Sequence, residues 1–111
     1  MQEVAGAEGQ YPTRHPAVAR RFAPGDRVRV RESAPLGHIR TPFYIRGRSG
    51  TIERYCGAYP NPEELAQMRD GLPAQPLYRV RFLLPEVWPD YAGRPQDTID
   101  IEIFQHWLER A

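Results

Sequence analysis

Thr98-Ile99-Asp100-Ile101-Glu102-Ile103 alternates isoleucine with acid. Successive side chains of a strand point to opposite faces, so this run turns three isoleucines inward and two carboxylates outward. Arg27-Val28-Arg29-Val30-Arg31 repeats the pattern with valines inside and arginines outside. Pro76 to Leu84 repeats it again, setting Tyr78, Val80, Phe82 and Leu84 against Leu77, Arg79, Arg81 and Leu83. Pro24-Gly25-Asp26 is a turn signal ahead of the arginine–valine run, and Gly47-Arg48-Ser49-Gly50 is a second turn leading into Thr51-Ile52-Glu53-Arg54-Tyr55. Four or five short strands joined by turn-rich connections predict an all-β domain, a compact barrel.

One helix is expected as an excursion. Asn61-Pro62-Glu63-Glu64 supplies an N-cap, proline at the first helical position and acids in the first turn. The spacing predicts a helix over 62–69, ended by Gly71 and Pro73. Pro85 to Pro89 is a short helical turn at most, and Phe104 to Arg110 is expected to close with one turn, Trp107 and Leu108 packing back. Residues 1–22 contain Gly6, Gly9, Pro12 and Pro16 with little apolar periodicity and read as an extended, flexible N-terminal arm. The barrel domain is then expected over residues 23–111.

The 111 residues suffice for one domain, and a domain this small has to share any large cleft with another chain. Apolar residues at 41% and charged residues at 26% fit a soluble globular protein. No apolar run approaches the about 20 residues that span a bilayer, and the first residues lack a secretory signal's basic start and apolar stretch. One cysteine, Cys56, allows no internal disulfide. A cytoplasmic protein without a membrane partner is expected.

The same composition removes several kinds of chemistry. His15, His38 and His106 are widely spaced and there is one cysteine, so no metal ligand set is expected. Ser33 and Ser49 have no nucleophile-elbow context, Cys56 has no evident base, and no glycine-rich phosphate loop is present. The acids Glu63 and Glu64 are accounted for by the helix dipole, and His106 is expected to pack or cap. All fifteen cations are arginine. Each is a planar fork suited to carboxylates, phosphates or oxidised sulfur. Residues 1–48 carry nine arginines against four acids and residues 49–111 six against ten, so the basic half suits an acidic partner or nucleic acid while the net charge is only +1.

What remains is the long loop from Ser33 to Gly47. Loops of this length in compact domains are usually functional or disordered. Around Pro35-Leu36-Gly37-His38-Ile39-Arg40-Thr41-Pro42-Phe43-Tyr44-Ile45-Arg46-Gly47-Arg48 it concentrates one histidine, three arginines and two aromatics. Taken by its chemistry, it is a site for an anion, an acidic partner or single-stranded nucleic acid, or a solvated loop whose aromatics fill the barrel mouth.

Gly25-Asp26-Arg27-Val28-Arg29-Val30, the loop from Gly37 to Arg48, Gly50-Thr51-Ile52, Pro76 to Phe82, Trp88, Ile99-Asp100-Ile101 and Trp107-Leu108-Glu109 together resemble the C-terminal half of the nitrile hydratase β subunit. The Gly-His-x-Arg-x-Pro-x-Tyr-x-Arg-Gly pattern at 37–47 is its most specific part. The resemblance implies an SH3-like barrel. It also implies a subunit of an enzyme hydrating nitriles to amides at Fe(III) or Co(III), the ion being held by an α-type partner whose cysteines are partly oxidised. Arg40 falls on the arginine that hydrogen-bonds those oxidised cysteines. His38, Tyr44, Arg46 and Arg48 are the accompanying binding and interface residues, with no metal on this chain. A typical β subunit also has a helical N-terminal half, which this chain lacks. The chain therefore resembles the small barrel subunit of split, three-subunit enzymes such as toyocamycin nitrile hydratase or thiocyanate hydrolase, and a separate chain equivalent to that half is expected as a second partner. Two further readings are a free-standing SH3-like module binding protein or RNA, and a chaperone loading metal into the catalytic subunit. The net charge of +1 argues against RNA.

Overall fold

A computed structural model describes residues 17–32 and 43–111. Five strands form one antiparallel sheet in the order β4-β3-β2-β1-β5, with β1 at Arg27–Val30, β2 at Ser49–Tyr59, β3 at Gln75–Leu83, β4 at Thr98–Phe104 and β5 at Leu108–Arg110. The chain passes from β4 at one edge to β5 at the other through a 3-10 turn at Gln105–Trp107, which makes the curled sheet an SH3-like barrel. Each alternating run expected to be a strand is one.

Register follows the side-chain pattern. Val28 and Val30 are fully buried, as are Tyr78, Val80 and Phe82. Ile103 joins them, with Ile99 and Ile101 packed against the same core. Burying each such side chain is worth roughly 1.5–3 kcal/mol. On the outer face β4 places Asp100 and Glu102 opposite Arg81 and Arg79 of β3, and β5 places Glu109 opposite Arg29 of β1. A slip of one residue would expose the core and separate every one of these charge pairs. At Gly50 an added Cβ would lie 2.7 Å from the Arg81 carbonyl oxygen and 2.9 Å from Phe82 and Val80. No larger residue fits where β2 crosses both neighbours.

Three expectations are corrected. The helix over 62–69 is shorter: α1 spans Pro62–Leu65, with the Asn61 side chain accepting from the Glu63 N–H as predicted. The turn that follows it closes at Met68, which takes a left-handed φ of 64° while the Arg69 N–H reaches the Glu64 carbonyl and the Met68 N–H that of Leu65. This is a Schellman stop without glycine, so Gly71 is not the terminator. The third strand ends one residue early, because Leu84 opens a one-turn helix, α2, at Leu84–Val87. The C-terminal stretch is more than a turn: Trp107 and Leu108 do pack back, but Leu108–Arg110 also pairs with β1. Glu63 and Glu64 do stand in the first turn of α1, and Glu63 is in addition buried, its carboxylate paired with His106.

Residues 17–22, the last part of the stretch read as an arm, lie along the barrel. Ala17 bridges to Ala74, and Arg20 stacks over the Tyr55 ring at 3.9 Å. Phe22 sits in the core against Tyr78. Gln105, buried among them, accepts from the Arg21 N–H at 2.9 Å and the Tyr78 hydroxyl at 2.7 Å and donates to the Ala19 carbonyl at 2.9 Å. Residues 1–16 fall outside the described part of the chain.

Candidate functional site

The long loop leaves and re-enters the barrel at one place. The Gly47 N–H donates to the Val30 carbonyl at 2.8 Å and the Val30 N–H to the Arg48 carbonyl at 2.9 Å, so the end of β1 and the return of the loop are stapled together. Gly47 has φ of +80°, and a Cβ there would meet the Glu32 carboxylate at 2.8 Å. The positive φ calls for glycine, and a Cβ would also push the Glu32 side chain aside. Just before it, a 3-10 turn at Phe43–Ile45 drives Ile45 fully into the core. That anchor fixes the side chains on either side.

Tyr44, Arg46 and Arg48, three of the five residues singled out in the sequence, come together beside this staple. They line a cleft of about 400 Å³ with Glu32, Val87, Trp88 and Pro89. Tyr44 lies against Trp88 with ring centroids 5.1 Å apart and planes 25° apart, an offset stack. Both rings stay open to solvent, at 37% and 40% of their full exposure. The Arg46 guanidinium stands 5.3 Å from the centre of the buried Trp107 ring, a cation–π contact that braces the loop's return against the core. Arg48 is half-buried in the cleft. His38 and Arg40 lie outside the described residues.

Trp88 was known to the sequence only as part of a family pattern. Its neighbours explain its position. Val87 is buried, the Trp88 N–H donates to the Leu84 carbonyl at 2.8 Å, and Pro89 forces the residue before it into extended backbone, observed as φ −118° and ψ 103°. The side chain is thereby turned outward. A signal was present in Val87-Trp88-Pro89, but nothing local says that Tyr44 will meet it.

Elsewhere four outward arginines of the sheet are occupied. Arg81 makes a two-pronged bond to Asp100 at 2.8 and 2.9 Å, Arg79 reaches Glu102 at 3.2 Å, Arg29 Nε reaches Glu109 at 2.8 Å, and Arg27 reaches the Thr51 hydroxyl at 3.0 Å. Hydrogen bonds from Arg81 and Arg29 hold the Asp100 and Glu109 carboxyls below the usual carboxylate range. A sheet face neutralised in register offers little to a phosphate backbone. Burial pushes the Cys56 thiol up, away from nucleophilic use. Among the described residues no three His, Cys, Asp or Glu side chains gather closely enough to hold a metal ion, and no helix is long and apolar enough to cross a membrane.

Residues 11–110 match the family model described as nitrile hydratase β subunit, C-terminal. The chain is 32% identical over 108 residues to the nitrile hydratase subunit β of Pseudomonas chlororaphis, covering 95% of this chain and 48% of that protein. It is 35% identical over 123 aligned positions to that of Rhodococcus erythropolis, covering 100% and 55%. It thus spans about half the length of these β subunits. With the thiocyanate hydrolase subunit α of Thiobacillus thioparus it shares 34% identity over 92 residues, 82% of this chain and 72% of that one. A solved structure of the recombinant apo-enzyme of that thiocyanate hydrolase superposes with a TM-score of 0.79 at 33% identity, over 86% of this chain and 79% of the other. On these matches, and on the barrel that carries them, the chain belongs to the family defined by the C-terminal part of the nitrile hydratase β subunit.

Proposed function

We propose that this chain is the barrel subunit of a nitrile-hydratase-type enzyme, hydrating a nitrile or thiocyanate, and that its long loop delivers Arg40 to oxidised cysteines on a metal-bearing α-type subunit. The observation that carries the reading is the staple at Val30, Gly47 and Arg48: it joins the end of β1 to the return of the connection whose sequence carries the motif, on a family-matched barrel. One cysteine and three widely spaced histidines give this chain no ligand set, so the reading assigns cobalt or iron to the partner and expects the isolated chain to be inactive. Cobalt is named among the relatives, in the cobalt-containing nitrile hydratase subunit β of Pseudonocardia thermophila.

The chain's own contribution is electrostatic and geometric. Sulfenate and sulfinate are oxyanions, and a guanidinium fork can donate to two of their oxygens at once, orienting them and withdrawing charge. His38, Tyr44, Arg46 and Arg48 secure the loop and its contact with the partner. A separate chain equivalent to the β subunit's N-terminal half completes the complex, in the cytoplasm. Residues 1–22 act as an arm on the 23–111 barrel.

The test is turnover and metal content of complexes reconstituted with Arg40 variants. Loss of an electrostatic donor at a reacting centre lowers turnover by about 10²–10³-fold, expected for Arg40→Ala. Arg40→Lys keeps the charge but not the fork and is also poor. Arg46→Lys and Arg48→Lys are milder. Wild-type turnover from Arg40→Lys, with Arg46→Lys equally harmless, refutes the assignment.

A further inference from the structure

The cleft beside the staple has a shape and charge that the Arg40 reading does not use. Its wall is the Tyr44–Trp88 stack, each ring held flat by the other and still substantially exposed. Val87 and Pro89 add apolar lining. Its charge comes from Arg46, Arg48 and Glu32, two guanidinium groups against one carboxylate.

Arg48 differs from the ion-paired arginines of the chain. Arg29, Arg69, Arg79, Arg81 and Arg110 each lie within ion-pair distance of an acid. Among the described residues none supplies Arg48 with one, although Glu32 lines the same cleft. A half-buried cation beside apolar lining is disposed to take a carboxylate from outside. Rigid, amphipathic aromatic rings lose little conformational freedom on contact, which is why Trp, Tyr and Arg dominate interface hot spots. At about 400 Å³ the cleft suits the side chains of a peptide segment rather than a whole helix.

We propose that the Tyr44–Trp88–Arg48 cleft is a docking notch for an acidic segment of the metal-bearing subunit. A carboxylate of that segment bonds Arg48 and a neighbouring apolar side chain lies on the Trp88 face. The choice of occupant rests on the proposed function, because Glu32 and Tyr44 flank the loop assigned to that subunit. Charge supports it as well: the cleft's own lining sets Arg46 and Arg48 against the single acid Glu32. The notch separates two tasks, Trp88 and Arg48 securing the partner while Arg40 acts on its oxidised cysteines.

The experiment uses the full chain, tagged and purified with its complex from the native host, with p-benzoylphenylalanine in place of Tyr44 as photo-crosslinker. A crosslink to an Asp- or Glu-bearing peptide of the metal-bearing subunit is expected. A crosslink to a second copy of this chain, to the third chain, or to nothing overturns the notch. In parallel, the Kd of the separated metal-bearing subunit is measured for Trp88→Ala and Arg48→Glu. Hot-spot truncations of 2 kcal/mol or more correspond to weakening by roughly 20- to 30-fold or beyond. Both side chains face the cleft, so amide spectra of the free variants should match wild type. Trp88→Phe, which keeps a ring, should recover most of the affinity. Wild-type affinity in both variants, while Arg40→Lys still lowers turnover, overturns the notch and leaves the proposed function standing. Failure of the wild-type chain to bind the metal-bearing subunit overturns both.

Discussion

Gln105 is the residue whose removal tests the fold description most directly. Its side chain is 2% exposed and makes three bonds, accepting from the Arg21 N–H and the Tyr78 hydroxyl and donating to the Ala19 carbonyl. Gln105→Met keeps the volume and removes all three. A buried polar group left unsatisfied costs about 1–3 kcal/mol, while a typical hydrogen bond is worth about 0.5–1.5 kcal/mol net. The Tyr78 hydroxyl is fully enclosed and incurs the larger cost, its remaining contact being the long 3.4 Å bond from the Phe22 N–H. The Arg21 and Ala19 groups lie nearer solvent and recover part of their loss through water. The sum is about 2–4 kcal/mol, a large share of the roughly 5–15 kcal/mol that stabilises a domain of this kind. At about 4–8 °C per kcal/mol, Tm should fall by roughly 8–32 °C. Urea unfolding and calorimetry read the loss, and amide exchange should rise first at Arg21 and Phe22. A double-mutant cycle with Tyr78→Phe should show coupling of at least about 0.5 kcal/mol. A cost below about 1 kcal/mol, or unchanged exchange at residues 19–22, would show that Gln105 does not clamp this segment.

Three further outcomes can be checked on the isolated chain. Met68 is 94% exposed with a φ of 64°, so Met68→Gly loses no packing and should raise stability by about 0.5–1 kcal/mol, whereas Met68→Val should lower it. Arginine hydrogen bonds depress the folded-state pKa of Glu64, Asp100 and Glu109, so their contribution is complete above the unfolded carboxylate range and is lost as pH falls through the lower folded values. Denaturation midpoints should therefore decline from about pH 4 downward, more gently in high salt because these pairs are exposed; a midpoint that rises on acidification reverses the assignment. Burial raises the Cys56 pKa and leaves the residue only 8% exposed, so a thiol reagent at neutral pH should label it at the rate of unfolding. Rapid labelling of the folded chain contradicts that.

The strands were legible because their signal is local. Period-two alternation at 27–31, 76–84 and 98–103 needs only neighbouring residues to declare a buried and an exposed face, and the long loop announced itself by lacking any period. Tyr44, Arg46 and Arg48 could be picked out for the same reason, as cations and aromatics crowded into one connection. The family followed from the 37–47 motif, which is a property of the string. The stop after α1, by contrast, lies at a left-handed Met68 that no composition rule favours over Gly71. Contacts between distant positions had no local signature at all. Gln105 holds Arg21 across a separation of 84 positions and His106 meets Glu63 across 43, and Trp88 meets Tyr44 only because α2 and the staple converge on one rim. A polar side chain next to a strand reads alike whether it will be solvated or clamped. Which of the two it becomes depends on what the closing of the sheet brings beside it. Strands, loop and family were therefore written in the order of residues, while the clamp, the buried acid and the cleft came into being only when the folded chain set distant positions side by side.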